Sequence, residues 1–369
     1  MLKPVDDARM FEKIGQTLAD TGEYDIHIFG YPSAKDHNYP GIRFHPSLPF
    51  RRLEFRRLKI PFTIFPKALA INPDAIIVTT HELLFMAVAL KLFRGTSILY
   101  DIQENYFRNL RYLPSFPAFA RPLLAAWVRF KEILVAPFVN GFILSDTGYL
   151  DELAFVKGKA KVIENKVKAS SIRPPIQNPS GKATRLLFSG TLAESTGIFI
   201  ALDLAEKLHE LDAGVRLTII GYCALEDTLR RINQAINDKD FIQLTGGDRR
   251  VPHDEIMAEV ARSDFGIIAY PPNPSTKNTV PTKLYEYLGS QLPIVLITHP
   301  AWMERCARYS AAVVFDPTSI KAGALLEQMK NTTFYTTLPG DEVLWESEGR
   351  KLIELVDGLR TPFRPEASL

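Results

Sequence analysis

The chain has few cysteines, no long uninterrupted apolar run and little net charge. Its 369 residues include only two cysteines, Cys223 and Cys306, too few for a disulfide framework or a cysteine-based zinc site. Its 44 basic and 42 acidic residues leave a formal net charge of +2, which gives no reason to expect nucleic-acid binding. These absences exclude a disulfide-rich secreted scaffold and a basic nucleic-acid-binding protein, and they are typical of a protein of the reducing cytosol.

No segment has the pattern of a targeting signal or of a membrane span. The first twenty residues lack the apolar core of a signal peptide and lead directly into an amphipathic helix pattern. The most apolar window, residues 117–145, contains Arg121, Arg129, Lys131 and Glu132 together with internal prolines, so it does not fit a bilayer span. We interpret this window as a buried helix followed by a strand.

Short β-branched runs alternate with segments of helical period, which predicts βαβ units and mostly parallel sheets. In the first half these runs are YDIHIFG, DAIIVTT, TSILYD, NGFILSD and AKVIEN. Residues 168–184 then have the Pro-, Ser- and Gly-rich composition of a linker. The alternation resumes with RLLFSG, VRLTIIG, FIQLTG, DFGIIAY, PIVLIT and AAVVF. We therefore predict two α/β domains, residues 1–172 and 173–338, and a C-terminal helical segment, residues 339–369, that packs on either domain.

The first domain begins in an unusual way. Parallel sheet domains usually open on an apolar strand, whereas a helical pattern starts here by about Ala8 and leaves no room for one. We expect either that the first domain lacks its opening strand or that the natural chain starts upstream of Met1.

Two strand-loop-helix junctions in the second half carry residues expected of an anion site. After the strand LLFSG, the loop from Ser189 to Gly197 offers small residues, hydroxyls and a helix N-terminus, a combination that can hold phosphate through backbone N–H groups. This signal is weak alone, because every such junction needs a similar loop. The second junction, TKNTVPTKLYEYLGSQLPIV, places Lys283 in the first turn of a helix that Pro281 opens and Gly289 closes.

A cation in the first turn of a helix is locally unfavourable unless an anion also binds there. Lys283, Glu286 and Tyr287 lie at positions i, i+3 and i+4 and so share one face. One interpretation is a solvent-exposed ion pair between Lys283 and Glu286. In the other, Lys283 and the helix N-terminus hold a diphosphate, while Glu286 accepts hydrogen bonds from two ribose hydroxyls. Both junctions follow parallel strands, where open α/β sheets bind ligands, and together they predict a nucleotide-diphosphate site.

The order of these motifs resembles the GT-B fold glycosyltransferases, in particular retaining family 4. SGT-x6-G, IIG, FGIIAYPPN and PTKLYEYLGSQLPIV resemble the donor-binding domain of that family, and THELLF, LYDIQENY and GFILSDTGYLDELAFVKGKAKVIENKV resemble its acceptor domain. The resemblance covers nearly the whole chain and implies two Rossmann-like α/β/α domains that face a cleft, with the C-terminal helix packing back across it. It implies transfer of a sugar, with retention, from a nucleotide-diphosphate sugar to a glycan or lipid-linked acceptor in cell-surface polysaccharide synthesis, without a cofactor.

The resemblance also assigns roles on the donor side. Glu286 matches the second acidic residue of the family's E-x7-E pattern, which binds the ribose, and Asn278 stands where the first would be. Thr191 and Thr196 stand where the family has Arg and Lys, so Lys283 or an arginine at position 249 or 250 must supply positive charge to the phosphates. The predicted donor-binding residues are Ser189, Gly190, Thr191, Thr196, Gly197, Gly221, Arg249, Tyr270, Asn278, Pro281, Lys283 and Glu286.

On the acceptor side, Gln103 stands where many relatives have a His near the donor sugar, and an amide cannot act as a base. Retaining transfer in this fold is generally thought to proceed on one face of the sugar, with the leaving phosphate accepting the proton of the acceptor. The predicted catalytic residues are Gln103, Glu104, His81 and Lys283, and the predicted acceptor-side residues are Asp7, Arg9, His81 and Glu82.

No metal site is expected. HELLF begins like an HExxH zinc motif, but Phe85 occupies the position of the second ligand. The D-x-D string at residues 238–240 lies between a helix and a strand among polar residues, which favours a solvated turn.

A basic and apolar segment, FRRLEFRRLKIPFTIFPKAL, has two interpretations. It is either an exposed helix whose arginine stems lie along apolar surface or a contact with an anionic membrane. In the second case the protein is cytoplasmic and peripheral to the inner face of the membrane. The predicted membrane-facing residues are Arg51, Arg52, Arg56, Arg57 and Lys59.

Two other functions remain open. A nucleotide-sugar epimerase can share the two-domain fold, but it needs acid/base side chains for which the sequence offers no convincing pair. A non-catalytic relative that binds nucleotide or glycan is favoured by Asn278, Thr191, Thr196 and Gln103, and by the missing first strand.

Overall fold

The computed structural model forms two compact units, of which the first combines Met1–Asn165 with Trp345–Leu369 and the second is Lys166–Leu344. The units divide between Asn165 and Lys166, whereas the predicted boundary lies between residues 172 and 173. The residues described in the structure are 3–33, 37–47, 59–112, 116–176, 184–273 and 279–359.

Helices and strands alternate along most of the described chain. The strands are β1 (Ile26–Gly30), β2 (Ile42–Pro46), β3 (Ala75–Val78), β4 (Ser97–Ile102), β5 (Gly141–Leu144), β6 (Ala160–Val162), β7 (Thr184–Thr191), β8 (Val215–Tyr222), β9 (Ile242–Gly247), β10 (Phe265–Ile268), β11 (Ile294–Ile297) and β12 (Ala312–Phe315). The helices are α1 (Gln16–Ala19), α2 (Ile60–Ile71), α3 (Leu84–Arg94), α4 (Tyr106–Tyr112), α5 (Arg121–Val135), α6 (Tyr149–Glu152), α7 (Ile198–Leu211), α8 (Glu226–Ile236), α9 (His253–Arg262), α10 (Thr282–Gly289), α11 (Pro300–Ala307), α12 (Ala322–Asn331) and α13 (Trp345–Asp357).

The first unit contains two parallel sheets, a pair of strands β1-β2 and a four-stranded sheet of order β3-β4-β5-β6. The sequence predicted all of these strands except β2, whose run IRFHP has a single β-branched residue and ends in proline. Before the π-helical segment Ala8–Gly15, the described chain makes one parallel bridge, between Pro4 and Tyr31. The missing opening strand stays a prediction.

Both faces of the four-stranded sheet are covered, as the alternate side chains of β4 show. Ile98 and Tyr100 belong to a buried cluster with residues of α2, α3 and α5, whereas Leu99 belongs to a second cluster with the π-helical segment and α13. This period of two places helices on each side of the sheet. The C-terminal helix α13 therefore packs within the first unit.

The second unit contains one parallel sheet, whose strand order is β12-β11-β10-β7-β8-β9. The chain builds outward from β7 to β9 and then returns to place β10 on the other side of β7. The strand order reverses between these two neighbours, and open α/β sheets bind ligands outside the carboxyl ends of strands at such a reversal. The two junctions identified from the sequence follow β7 and β10, so both lie at this point.

One prediction about burial is wrong. The helix in residues 117–145 is only half buried, because Trp127 and Phe130 of α5 are 53% and 55% exposed. The strand that was predicted to follow is β5, which is fully buried. No helix in the described part of the chain has the length and apolarity needed to cross a bilayer.

Candidate functional site

The two junctions touch at Gly197, the residue before α7. Its φ is +84°, and a Cβ added there would lie 1.8 Å from the carbonyl oxygen of Ala269, which follows β10. Only glycine fits both the left-handed backbone and this close approach. The hydroxyl of Thr196 fixes the same loop by donating to the carbonyl of Thr191 at 2.7 Å. Thr196 therefore shapes the loop through its own hydrogen bonds.

A row of glycines crosses the carboxyl ends of three neighbouring strands. Gly190, Gly221 and Gly246 lie side by side in register on β7, β8 and β9. A Cβ on Gly221 would lie 1.7 Å from the Gly190 oxygen, and one on Gly246 would lie 2.3 Å from the Gly221 oxygen. Only glycine therefore fits at Gly221 and Gly246, because the backbone of the neighbouring strand occupies the space of a side chain there. Sequence reasoning missed Gly246, although the string TGG at the end of a predicted strand was available as a signal.

Lys283 is buried and lacks a hydrogen-bond partner for its ammonium among the described residues. Its Nζ lies 4.3 Å from the ring centre of Phe188 and 5.2 Å from that of Tyr270, so aromatic faces supply part of its stabilisation. Burial lowers the pKa of Lys283 to about 8, with Glu286 opposing that shift. A buried cation without a hydrogen-bond partner is costly for the protein alone, and it is suited to an anion that binds later.

Glu286 is also buried, and its Oε1 lies 2.9 Å from Nε2 of His253, the first residue of α9. The sequence interpretation of Lys283 and Glu286 as a solvent-exposed ion pair is therefore wrong. His253 was not predicted as a site residue, because 33 positions separate it from Glu286 and no local pattern connects them.

Tyr287 anchors the helix that carries these two side chains. Its hydroxyl lies 2.9 Å from the hydroxyl of Ser189, and its ring covers Gly266 so closely that a Cβ there would meet ring atoms at 2.4 Å. α10 begins after Pro281 and ends at Gly289, as predicted. Ser189 thus contacts Tyr287, and this contact fixes α10 against β7 and β10.

The other predicted donor-side residues are less enclosed. Thr191 and Arg249 are exposed, and Arg249 belongs to the loop before α9. Its neighbour Arg250 lies over the ring of Tyr222, 5.6 Å from its centre. Asn278 lies outside the described residues.

In the first unit, Arg9 and Gln103 meet at a buried carboxylate, Asp101 of β4. Arg9 donates to Asp101 through Nε and Nη2, at 3.0 and 2.8 Å, and to the carbonyl of Ile163 at 2.9 Å. Gln103 donates to Asp101 at 2.7 Å and accepts from Lys3 at 2.5 Å. Nη1 of Arg9 is buried without a hydrogen-bond partner among the described residues.

The remaining predicted residues of this unit are placed as follows. Asp7 caps the π-helical segment by accepting from the backbone of Met10 at 3.2 Å. His81 lies 2.9 Å from the ammonium of Lys131, and Glu82 lies next to His81, with 3.7 Å between their side chains. Glu104 is exposed and accepts from Asn109 at 2.8 Å. Arg51, Arg52, Arg56 and Arg57 lie outside the described residues, and Lys59 is exposed.

Comparison with known proteins gives a similarity of structure and none of sequence. No family model matches the chain, and no curated protein matches its sequence. A sucrose-phosphate synthase from Thermosynechococcus elongatus aligns with a TM-score of 0.71 at 13% identity, over 94% of this chain and 92% of that one.

Two further solved structures align along most of their length. HepE from Anabaena, solved with UDP and glucose, aligns with a TM-score of 0.65 at 13% identity, over 96% of this chain and 94% of that one. A UDP-forming trehalose-phosphate synthase from Burkholderia xenovorans aligns with a TM-score of 0.65 at 13% identity, over 98% of both chains. Identity at this level establishes the fold alone, and the chain has the two-domain, Rossmann-like GT-B fold of these glycosyltransferases.

Proposed function

We propose that the protein is a glycosyltransferase whose second unit binds a nucleotide-diphosphate sugar. The observation that carries this proposal is the ammonium of Lys283, which is buried without a hydrogen-bond partner among the described residues and lies at the strand-order reversal, beside the backbone of Gly190. A diphosphate supplies the missing anion, and Glu286 accepts hydrogen bonds from the ribose hydroxyls. That HepE was solved with UDP-glucose supports this class of donor.

In the proposed reaction, a hydroxyl oxygen of the acceptor forms a bond to the anomeric carbon of the donor sugar. The bond from that carbon to the diphosphate oxygen breaks, and the diphosphate accepts the hydroxyl proton. Lys283 and the N-terminus of α10 stabilise the negative charge of the departing nucleoside diphosphate. By resemblance to retaining glycosyltransferases, we propose retention of anomeric configuration and no need for a metal ion.

We further propose that the acceptor is a glycan or lipid-linked glycan in cell-surface polysaccharide synthesis, made at the inner face of the membrane. Arg9 supports an acceptor site in the first unit, since one of its buried nitrogens is unpaired among the described residues. Gln103, which Asp101 and Lys3 hold from both ends, fits a positioning role and not that of a base.

Calorimetric titration with UDP, GDP and other nucleoside diphosphates tests the donor assignment, with wild type, Glu286→Ala and the exposed helix variant Glu210→Ala as matched control. We expect one nucleoside diphosphate to bind wild type and the control equally, and Glu286→Ala to bind it at least about tenfold more weakly. Absence of binding by every nucleotide contradicts the proposal.

Product analysis with the matching nucleotide sugar separates the remaining functions. We expect transfer or slow hydrolysis, with release of nucleoside diphosphate that EDTA does not inhibit. A changed sugar configuration without release of nucleotide would identify an epimerase. Binding without any turnover would identify the non-catalytic relative that Thr191, Thr196 and Gln103 favour.

A further inference from the structure

The first unit presents large apolar side chains to solvent on the outer faces of α2, α3 and α5. These helices form one layer, because their inward residues share a buried cluster with the four-stranded sheet. We call their outer faces, with the flanking residues Phe119 and Phe138, the α2–α3–α5 surface. Of the eighteen exposed large hydrophobic residues described in the structure, eleven lie here, namely Phe62, Phe85, Leu92, Phe93, Phe119, Leu123, Trp127, Phe130, Ile133, Leu134 and Phe138.

The pattern along α5 shows that this exposure is systematic. Leu123, Trp127, Phe130 and Leu134 follow a spacing of four, three and four residues, so they form one stripe along the helix. All four are between 49% and 73% exposed. The opposite face, with Val128 and residues near it, is buried. The helix therefore has an apolar face beyond the one it needs for folding, and large exposed apolar patches mark interaction sites.

The charged residues within these three helices are almost all basic. The sequences of α2, α3 and α5 contain one acidic residue, Glu132, which is buried and accepts from the hydroxyl of Tyr100 at 2.9 Å. Exposed basic side chains lie among the apolar ones at Lys59, Lys67 and Arg94. Apolar side chains mixed with basic ones match the interface of an anionic bilayer, which offers acyl chains to the former and charged headgroups to the latter.

We infer that the α2–α3–α5 surface binds an anionic lipid bilayer and lies on it without crossing it. This assignment overlaps the basic and apolar segment predicted from the sequence, which contains Lys59 and most of α2, and extends it to the outer faces of α3 and α5. It does not depend on the proposed transferase activity, because nucleotide binding is assigned to residues of the second unit.

Trp127 allows a direct measurement with the full chain. The other two tryptophans, Trp302 and Trp345, are 1% exposed, so a blue shift on membrane insertion reports Trp127. We expect a blue shift, and quenching by brominated acyl chains, with vesicles that contain phosphatidylglycerol. Vesicles of pure phosphatidylcholine should bind far less. An unchanged spectrum with no quenching overturns the inference.

Substitutions separate the apolar and the electrostatic contributions. Leu123→Ser with Phe130→Ser should weaken vesicle partitioning by about tenfold or more. Lys67→Gln with Arg94→Gln should reduce the preference for anionic lipid by about fivefold per charge. Leu211→Ser with Leu225→Ser, at exposed leucines of the second unit, should change neither.

A second copy of the chain is the competing occupant. Sedimentation without lipid that shows a dimer, which Leu123→Ser with Phe130→Ser dissociates, and no binding to vesicles, would replace the membrane with a protein partner. Unchanged melting temperature and nucleotide affinity in that variant show that its loss of lipid binding is local.

Discussion

At the scale of single residues, the candidate site depends on a lysine whose environment opposes its own charge. Phe188 and Tyr270 contact the ammonium of Lys283 with ring faces, and Glu286 lies one turn further along α10. Such an arrangement costs folding stability, and proteins retain it where a ligand uses the charge. The sequence predicted that Lys283 lies in the first turn of a helix at the candidate site. It did not predict that Lys283 is buried against Phe188, because that contact joins residues almost a hundred positions apart.

Lys283→Met should make the protein more stable at neutral pH, because it removes a buried charge that has no hydrogen-bond partner among the described residues, while keeping most of the apolar stem. The pKa of Lys283 is about 8 in the folded protein and 10.5 when unperturbed, so the unfolded chain binds the proton more tightly between these values. The stability of wild type therefore rises with pH through this window, by up to about 3 kcal/mol. Urea unfolding of both proteins from pH 7 to 10.5 measures the effect. A constant difference in unfolding free energy would contradict it.

A second prediction at the scale of single residues concerns Arg9 and Asp101 in the first unit. Asp101→Asn should destabilise the protein by about 3–5 kcal/mol, since it leaves the buried Arg9 cation without its carboxylate. Arg9→Met with Asp101→Leu should lose less, because both charges are removed together. Chemical denaturation of the single and double variants provides the comparison. A double variant less stable than Asp101→Asn would contradict this prediction, because it would show that the pair stabilises the fold by more than the neutralisation of its two charges.

At the scale of elements, the sequence predicted what local patterns specify. Pro281 and Gly289 determined the bounds of α10, and β-branched runs located eleven strands. The sequence did not predict contacts between distant elements, such as the contact of His253 with Glu286. It did not predict the exposed stripe of α5 either. Composition alone predicts that an apolar helix is buried, whereas the neighbouring elements determine which of its faces are covered.

The junction between β7 and α7 should not tolerate a side chain at its last residue, Gly197. Gly197→Ala should destabilise the protein by more than about 3 kcal/mol, because its Cβ would overlap the Ala269 oxygen. Gly22→Ala is the matched control, since its φ is +71° and no atom lies within 4 Å of the added Cβ. That variant should lose only about 1–2 kcal/mol, the cost of the left-handed backbone. Equal losses of unfolding free energy in the two variants would show that the close approach does not matter.

At the scale of the whole molecule, two units with separate cores make up the chain. The predicted site residues divide between them, with the donor-side set in Lys166–Leu344 and the acceptor-side set in the other unit. The sequence predicted this architecture because the strand-helix alternation stops and restarts.

Scanning calorimetry of the full chain should show that nucleotide stabilises one unit more than the other. A nucleoside diphosphate at about a hundred times its Kd adds about 2.7 kcal/mol to the state that binds it. The transition of the second unit should then rise by about 5–10 °C, with a smaller change in the first. A rise confined to the first unit would place the nucleotide there instead.

The most direct test of the central claim compares the nucleoside diphosphate that binds wild type with the matching monophosphate, in wild type and in Lys283→Met, with Lys207→Met at an exposed helix position as control. If Lys283 binds the diphosphate, wild type and the control should prefer the diphosphate over the monophosphate by about tenfold or more, and Lys283→Met should lose most of that preference. The same preference in Lys283→Met as in wild type would contradict the assignment of this lysine to the diphosphate of a sugar nucleotide.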